Sequence, residues 1–291
     1  MPPLKRVALV GGTGLLGSAV LQAITSRKDL FELTVFIRSN SASKLPDGVH
    51  IVTVESFEDA AENESFIKSL SGHDVLISTL NAAVALGLES KLVAAAIKAG
   101  VKHFMPSEYT LDVTHPAVRA LGPNNVHDLV TGGFLDWGIE NGMLGFDIAG
   151  RKARLYDRGR NKVTASTLRF VADAVVAAMQ MPDEEIRNKR LYVAELEYTG
   201  QELLETFQMA TGEKWGVVNT STKDAEEQGR RLQGEGDARG AYLNSVLALN
   251  FNGCGAAILS SGLQFGQGVD LQRSSLPDIV RDVLKRVDRQ Q

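Results

Sequence analysis

A glycine turn at the start of the chain constrains the fold more than any other feature. The apolar run Val7-Ala8-Leu9-Val10 passes directly into Gly11-Gly12-Thr13-Gly14-Leu15-Leu16-Gly17 and then into an apolar, helix-compatible segment, so the order is strand, glycine turn, helix. A turn this tight needs residues free to take positive φ, and a pyrophosphate reaches the backbone only where side chains are missing. The amides that open the helix then face the anion. The spelling satisfies both Gly12-x-Gly14-x-x-Gly17 and Gly11-x-x-Gly14-x-x-Gly17, in the one context, between strand and helix, where such a fingerprint carries meaning. Gly11, Gly12, Thr13, Gly14, Leu15, Leu16 and Gly17 are therefore expected to cradle a dinucleotide; the competing reading is a plain packing turn.

The end of the second apolar run bears on which dinucleotide. After Glu32-Leu33-Thr34-Val35-Phe36-Ile37 stands Arg38, about twenty residues past the last glycine, where NAD-preferring proteins carry an acid for the ribose 2′-hydroxyl. A guanidinium there repels no phosphate and can fork onto one. With Ser39, Ser41 and Lys44 in the polar loop that follows, the pattern favours NADP over NAD, against the alternative of a solvated basic loop.

From Leu4 to about Val130 strands and helices alternate with short connections. Residues 49–54 read as a third strand, 58–70 as a helix, 74–80 as a fourth strand, 86–99 as a helix stopped by Gly100, and 101–105 as a fifth strand. Near-continuous apolar strands alternating with helices predict a Rossmann-type, doubly wound parallel sheet of the α/β class, with its ligand crevice at the carboxyl ends of the strands. Ser56 and Phe57, after the third strand, and Ser78 and Thr79, ending the fourth, are thus placed to touch a cofactor. Past residue 147 the alternation loosens into short strands at 152–156, 162–165, 190–194 and 214–218, with helices at 167–179 and 199–211. The expected organisation is a nucleotide-binding domain over 1–147 and a smaller α+β substrate domain over 148–291.

Composition narrows the function classes. The 291 residues, 44% hydrophobic and 23% charged, suit a soluble globular chain with a sizeable core. The most apolar run, 171–181, is too short for a membrane span and contains Asp173 and Gln180. A strand that begins directly after Arg6 predicts no secretory leader, and a single cysteine, Cys254, offers neither an internal disulfide nor a zinc site, so the expected location is cytoplasmic. A net charge of −4 with a pI near 5.8 argues against nucleic acid as a partner. The histidines at 50, 73 and 115 fall on no common face by periodicity, so no metal site is expected.

Taken together, the glycine turn, Arg38, Asp74-Val75-Leu76-Ile77-Ser78-Thr79 and above all Val101-Lys102-His103-Phe104-Met105-Pro106-Ser107-Glu108-Tyr109 resemble the NmrA-like and isoflavone-reductase-like family of atypical short-chain dehydrogenases. Thr131-Gly132-Gly133-Phe134-Leu135-Asp136-Trp137, Thr199-Gly200-Gln201-Glu202-Leu203-Leu204 and Thr211-Gly212-Glu213-Lys214-Trp215 resemble its fungal members. The resemblance implies NADP(H) bound at the glycine turn, Arg38 and Lys44. It also implies hydride delivered to a small aromatic or enone-like metabolite of secondary metabolism, with Phe134 and Trp137 near the nicotinamide and substrate.

One departure from the family pattern bears on chemistry. Its reductases place a lysine on a helix after the Pro-Ser-Glu segment as proton donor or relay, whereas this chain has no lysine between Lys102 and Lys152 and a shortened crossover over 106–130. Hydride transfer creates an anion that must be protonated, and a positioned acid contributes 10²–10⁴-fold. The candidates that remain are Ser107 and Tyr109, which follow the fifth strand and so border the crevice, and His127, which begins the next strand and is of the residue type that exchanges protons near neutral pH. The alternative function is a non-catalytic, NADP(H)-sensing regulator that reports to a protein partner.

Overall fold

The computed structural model describes residues 4–41, 44–109, 111, 129–259 and 271–289. Its first part alternates as the pattern predicts: β1 (Arg6–Val10), α1 (Leu15–Thr25), β2 (Glu32–Arg38), β3 (His50–Val54), α2 (Glu64–Leu70), β4 (Val75–Ser78), α3 (Ala82–Ala99) and β5 (His103–Met105). These five strands form one sheet in the order β3-β2-β1-β4-β5, and every neighbouring pair is parallel. The order reverses between β1 and β4, and a sheet of this kind opens its ligand crevice at that point. Alternation along the strands fills both faces. Val7, Leu9, Val35, Val75 and Ile77 join Leu16, Val20 and Ile24 of α1 in one apolar cluster. Ala8, Val10, Phe36 and Leu76 join Phe66 and Leu70 of α2 and Leu88, Leu92 and Ala95 of α3 in another. Period-two alternation with both faces apolar is what a doubly covered parallel sheet requires.

Helix starts follow their caps more closely than their hydrophobic pattern. The Asn63 side chain accepts from the Phe66 amide at 3.0 Å and starts α2 there, while residues 59–62 form turns, so the helix is shorter than the 58–70 expected. Asn81 accepts from Val84 at 3.2 Å and starts α3 four residues earlier than periodicity suggests. An Asn side chain satisfies an amide that would otherwise be orphaned, and this sets the boundary.

Beyond the crossover the chain runs through β6 (Leu129–Val130), β7 (Gly133–Phe134), α4 (Leu135–Glu140), β8 (Phe146–Asp147), β9 (Lys152–Tyr156) and β10 (Lys162–Ser166). It continues with α5 (Leu168–Gln180), α6 (Asp183–Ile186), β11 (Leu191–Tyr192), β12 (Leu196–Thr199), α7 (Gly200–Thr211) and β13 (Gly216–Thr220), and ends in α8 (Thr222–Gly234), α9 (Ala238–Phe251) and α10 (Leu276–Asp288). Among the described residues three small sheets result, β12-β10-β7, β11-β6 and β13-β9-β8. A third apolar cluster carries this part, with Phe146, Phe207 and Trp215 in ring contact. None of the helices among the described residues is long and apolar enough to cross a membrane.

Helix α5 ties the two parts together. Its Phe170, Val171, Ala174, Val175 and Met179 pack in the same cluster as β1, β2, β4 and α1, and Arg27 reaches Asp173 at 2.8 Å. The helix is held in turn by the buried carboxylate of Glu195. Oε2 accepts from both the amide and the hydroxyl of Thr167, the α5 cap, at 2.7 Å, and Oε1 accepts from the Ser274 amide at 2.8 Å, just ahead of α10. Buried donors deprived of such an acceptor cost about 1–3 kcal/mol each. Glu195→Ala should therefore lower the unfolding free energy by about 3 kcal/mol, read as a drop in urea midpoint.

At the opposite end of the sheet, His73 and His50, which periodicity does not place together, meet on Thr34, while His115 lies outside the described residues. Nδ1 of His73 lies 3.0 Å from the Leu70 carbonyl and therefore carries the proton, which leaves Nε2 to accept from the Thr34 hydroxyl at 2.9 Å; His50 Nδ1 lies 3.3 Å from the same hydroxyl oxygen. Burial holds His73 below its ordinary value of 6.5, with Arg6 and His50 adding to the effect and the Leu70 carbonyl and Asp74 opposing it. The unfolded chain thus takes this proton first. Stability from neutral His73 is complete above pH 6.5 and drains away as pH falls below it toward the lower native value. The thermal midpoint should fall between about pH 7 and 5.5, and His73→Gln should flatten that slope.

Candidate functional site

The glycine turn is built on contact distances that leave no room for side chains. Gly11 has φ of 83°, and a Cβ there would lie 2.8 Å from the Thr79 carbonyl carbon. A Cβ on Gly17 would lie only 2.0 Å from the Gly11 oxygen. The first turn of α1 therefore presses directly onto the end of β1, as only glycines allow. Gly12 is buried against Leu9 and Val35, and Leu16 is buried, while Thr13, Gly14 and Leu15 are exposed at the mouth. Gly14 caps α1 without a side chain, and no acidic residue occupies the first turn. The amides of that turn are left for an external acceptor, and the helix dipole favours an anionic one.

Thr79 braces the turn from behind. Its amide and its hydroxyl both donate to the Val10 carbonyl, at 2.9 and 3.0 Å, which stitches β4 to β1 at the point where the strand order reverses. Ser78 is fully buried beside it. At the end of β2, Arg38 is exposed and makes no ion pair among the described residues. Its loop is held by Ser39 N donating to Val54 O at 2.8 Å and Ser41 N donating to Arg38 O at 2.9 Å. Lys44 is exposed in the same loop. After β3, the Ser56 hydroxyl accepts from the Glu58 amide at 3.0 Å, and the Phe57 ring is buried edge-on to Phe66 at 5.7 Å.

The segment after β5 folds back on β4. Ser107, half-buried, donates its hydroxyl to the Leu80 carbonyl at 2.5 Å, and the buried Tyr109 donates its own to the Ser78 carbonyl at 3.3 Å. Glu89 of α3 joins them, its Oε1 accepting from the Ser107 amide at 3.3 Å. Burial pushes the Glu89 carboxyl above its ordinary value, while the Ser78 hydroxyl and the Ser107 amide oppose the rise. Phe134, at the amino end of α4, packs against the cluster that contains Tyr109; Trp137, on α4, is half-buried. His127 lies outside the described residues.

The strand ends thus gather the glycine turn, Arg38, Ser56, Phe57, Ser78, Thr79, Ser107 and Tyr109 on one side of the parallel sheet. Glu89 is the addition that the sequence reading missed. Among the described residues, no group of three or more His, Cys, Asp or Glu side chains is arranged to hold a metal ion.

Comparison with known proteins agrees with this architecture. Residues 3–124 match the NmrA-like family. Oxidoreductase aprR of Aspergillus flavus is 27% identical over 96% of this chain and 99% of its own length. Among solved structures, an isoflavone reductase superposes with a TM-score of 0.71 at 18% identity, over 97% of this chain and 99% of its own. The NADPH complex of leucoanthocyanidin reductase from Vitis vinifera gives 0.69 at 18%, over 96% and 99%. Over residues 3–124 the chain is similar to the NmrA-like family, and almost its whole length adopts the fold of the isoflavone reductase and leucoanthocyanidin reductase structures.

Proposed function

We propose that this chain is an NADP(H)-dependent reductase that passes hydride to a small aromatic or enone-like metabolite. The observation that carries the reading is the side-chain-free turn onto which α1 opens, followed at the end of β2 by an exposed Arg38 that makes no ion pair among the described residues. The names of similar proteins support it, aprR as an oxidoreductase and leucoanthocyanidin reductase as a protein solved with NADPH.

Each part of the dinucleotide has residues that fit it. The pyrophosphate belongs on the amides after Gly11, where any Cβ at Gly17 would already collide. The 2′-phosphate belongs on Arg38, with Lys44, Ser39 and Ser41 in the same loop, and guanidinium and phosphate pair in bidentate fashion. The nicotinamide half would be held at the ends of β4 and β5 by Ser78, Thr79 and Ser107, whereas Ser56 and Phe57, after β3, would face the adenosine half. When bound, the cofactor supplies the hydride. The chain's own share is to orient both reactants and shut out water, with Phe134 and Trp137 against the substrate and residues 148–291 forming the smaller, substrate-binding domain. Ser107, Tyr109 and His127 are the groups proposed to return a proton to the product.

The absence of lysine between Lys102 and Lys152 favours one second reading. In it the same site senses NADP(H) for a protein partner without turnover. NADPH oxidation measured against a panel of enones and quinone methides separates the two. Turnover supports the reductase, whereas tight NADPH binding with no turnover on any acceptor selects the sensor.

Two variants test the cofactor site itself. Arg38→Ala should weaken NADPH about tenfold or more and leave NADH within about twofold, because only the former carries the phosphate that the guanidinium meets. Gly17→Ala should abolish detectable binding of both in calorimetry, since its Cβ forces α1 away from the Gly11 carbonyl, and should cost about 1–3 kcal/mol of stability. Equal loss of NADPH and NADH in the Arg38 variant would overturn the assignment of the 2′-phosphate.

A further inference from the structure

Two buried polar atoms at the carboxyl edge of the sheet have no use in the mechanism so far. Ser78, the last residue of β4, is 0% exposed, and its Oγ has no hydrogen-bond partner among the described residues. Oε2 of Glu89 is likewise shut off from solvent and unpartnered among them. The hydroxyl lies close enough to the carboxyl to favour its ionised form, yet without the geometry of a hydrogen bond. The other carboxyl oxygen accepts from the Ser107 amide at 3.3 Å, and Ser107 and Tyr109 return their hydroxyls to the β4 side.

This is a poor arrangement for stability alone. Unsatisfied buried polar groups are costly and each calls for an explanation. Position 89 lies on the buried face of α3, four residues after Ala85 and three before Leu92, beside Leu88 and Ala96. An apolar residue there would continue the stripe and leave no carboxyl to desolvate. What the carboxyl does accomplish is to join α3 to the first residues after β5, at the place where those residues close over β4.

With Arg38 at the end of β2 on one side of the glycine turn and β4 and β5 on the other, the phosphorylated adenosine half of the cofactor lies toward Arg38 and the nicotinamide half toward Ser78 and Ser107. We propose that Glu89 is a positioning residue for the nicotinamide half: by holding the Ser107 amide beside the end of β4, it sets the floor on which the nicotinamide riboside rests. The inference rests on the NADP(H) reading above and adds a residue and a role to it. Glu89 acts through Ser107 and Ser78 and touches no reacting atom.

The test compares NADPH with 2′,5′-ADP, which carries the adenosine half alone, by calorimetry on the full chain. Glu89→Leu should weaken NADPH about tenfold and leave 2′,5′-ADP within about twofold, with a thermal midpoint equal to or above the parent's. Glu89→Gln keeps an acceptor for the Ser107 amide and should restore most of the NADPH affinity. Should the Leu variant fail to fold, Glu89→Met, an unbranched side chain that also removes the acceptor of the Ser107 amide, serves in its place, and the same selective loss of NADPH is expected of it. Equal weakening of both ligands, no weakening of either, or a Gln variant as weak as the Leu variant would overturn the role of Glu89. A parent protein that binds 2′,5′-ADP and NADPH equally well would also overturn it, because the nicotinamide half would then contribute nothing. Failure of the parent to bind either ligand would instead bring down the cofactor reading itself, and this inference with it.

Discussion

The approach of Gly17 to the Gly11 carbonyl is the constraint on which the rest of the site depends. A methyl group at position 17 would lie 2.0 Å from that oxygen, so α1 takes this close path across the sheet only with glycine there. The same approach brings the first amides of α1 to the end of β1, and Thr79 locks the geometry from the β4 side through two hydrogen bonds to Val10. The strand order reverses at this junction. Backbone placement, glycine identity and sheet topology therefore converge on one crevice, and its cationic side is set by how far β2 extends before Arg38.

Holding that crevice open to one side requires the later part of the chain. Helix α5 covers the face of the sheet that α1 alone leaves incomplete, and its apolar positions enter the cluster of β1 and β4. The Glu195 carboxylate then fixes the α5 cap and the approach to α10 with three hydrogen bonds. A buried carboxylate is costly to desolvate, and this one is compensated by amide and hydroxyl donors from two distant segments. The parallel sheet and the segments beyond residue 147 are consequently coupled through packing and through one buried carboxyl group.

How much of this could be read in advance follows from the length of each signal. Strands β1 to β4, the turn between β1 and α1, and helices α5 and α7 have long apolar runs or strong punctuation, such as Gly212 at φ of 70° after α7. β7, β8 and β12 span two to four residues each, too short for period-two alternation to register in the sequence. The strand expected over 190–194 reduces to Leu191–Tyr192 for a related reason: its apolar run packs without a continuing ladder. The pairing of His50 and His73 through Thr34 joins three elements and has no local signature. Glu89 is different. Its place on the apolar stripe of α3 is legible as helical spacing, and a carboxylate on such a stripe marks a position where burial serves something other than packing.

The Ser107 and Tyr109 hydroxyls raise the question of whether a group already donating to a backbone carbonyl can still serve as an acid, and magnitudes answer it. Releasing one neutral hydrogen bond costs about 1 kcal/mol, whereas a positioned general acid contributes 10²–10⁴-fold, or about 3–5 kcal/mol. Engagement with Leu80 or Ser78 is therefore no bar to catalysis. Access separates the two candidates. Tyr109 is 6% exposed and packed into the cluster beneath the sheet edge, while Ser107 is half-buried at the crevice. Its hydroxyl and amide are both held, by Leu80 and Glu89, so its position is defined to within a hydrogen bond at each end. A serine so restrained, beside the carboxyl of Glu89, fits the proton-returning role proposed above better than Tyr109 does.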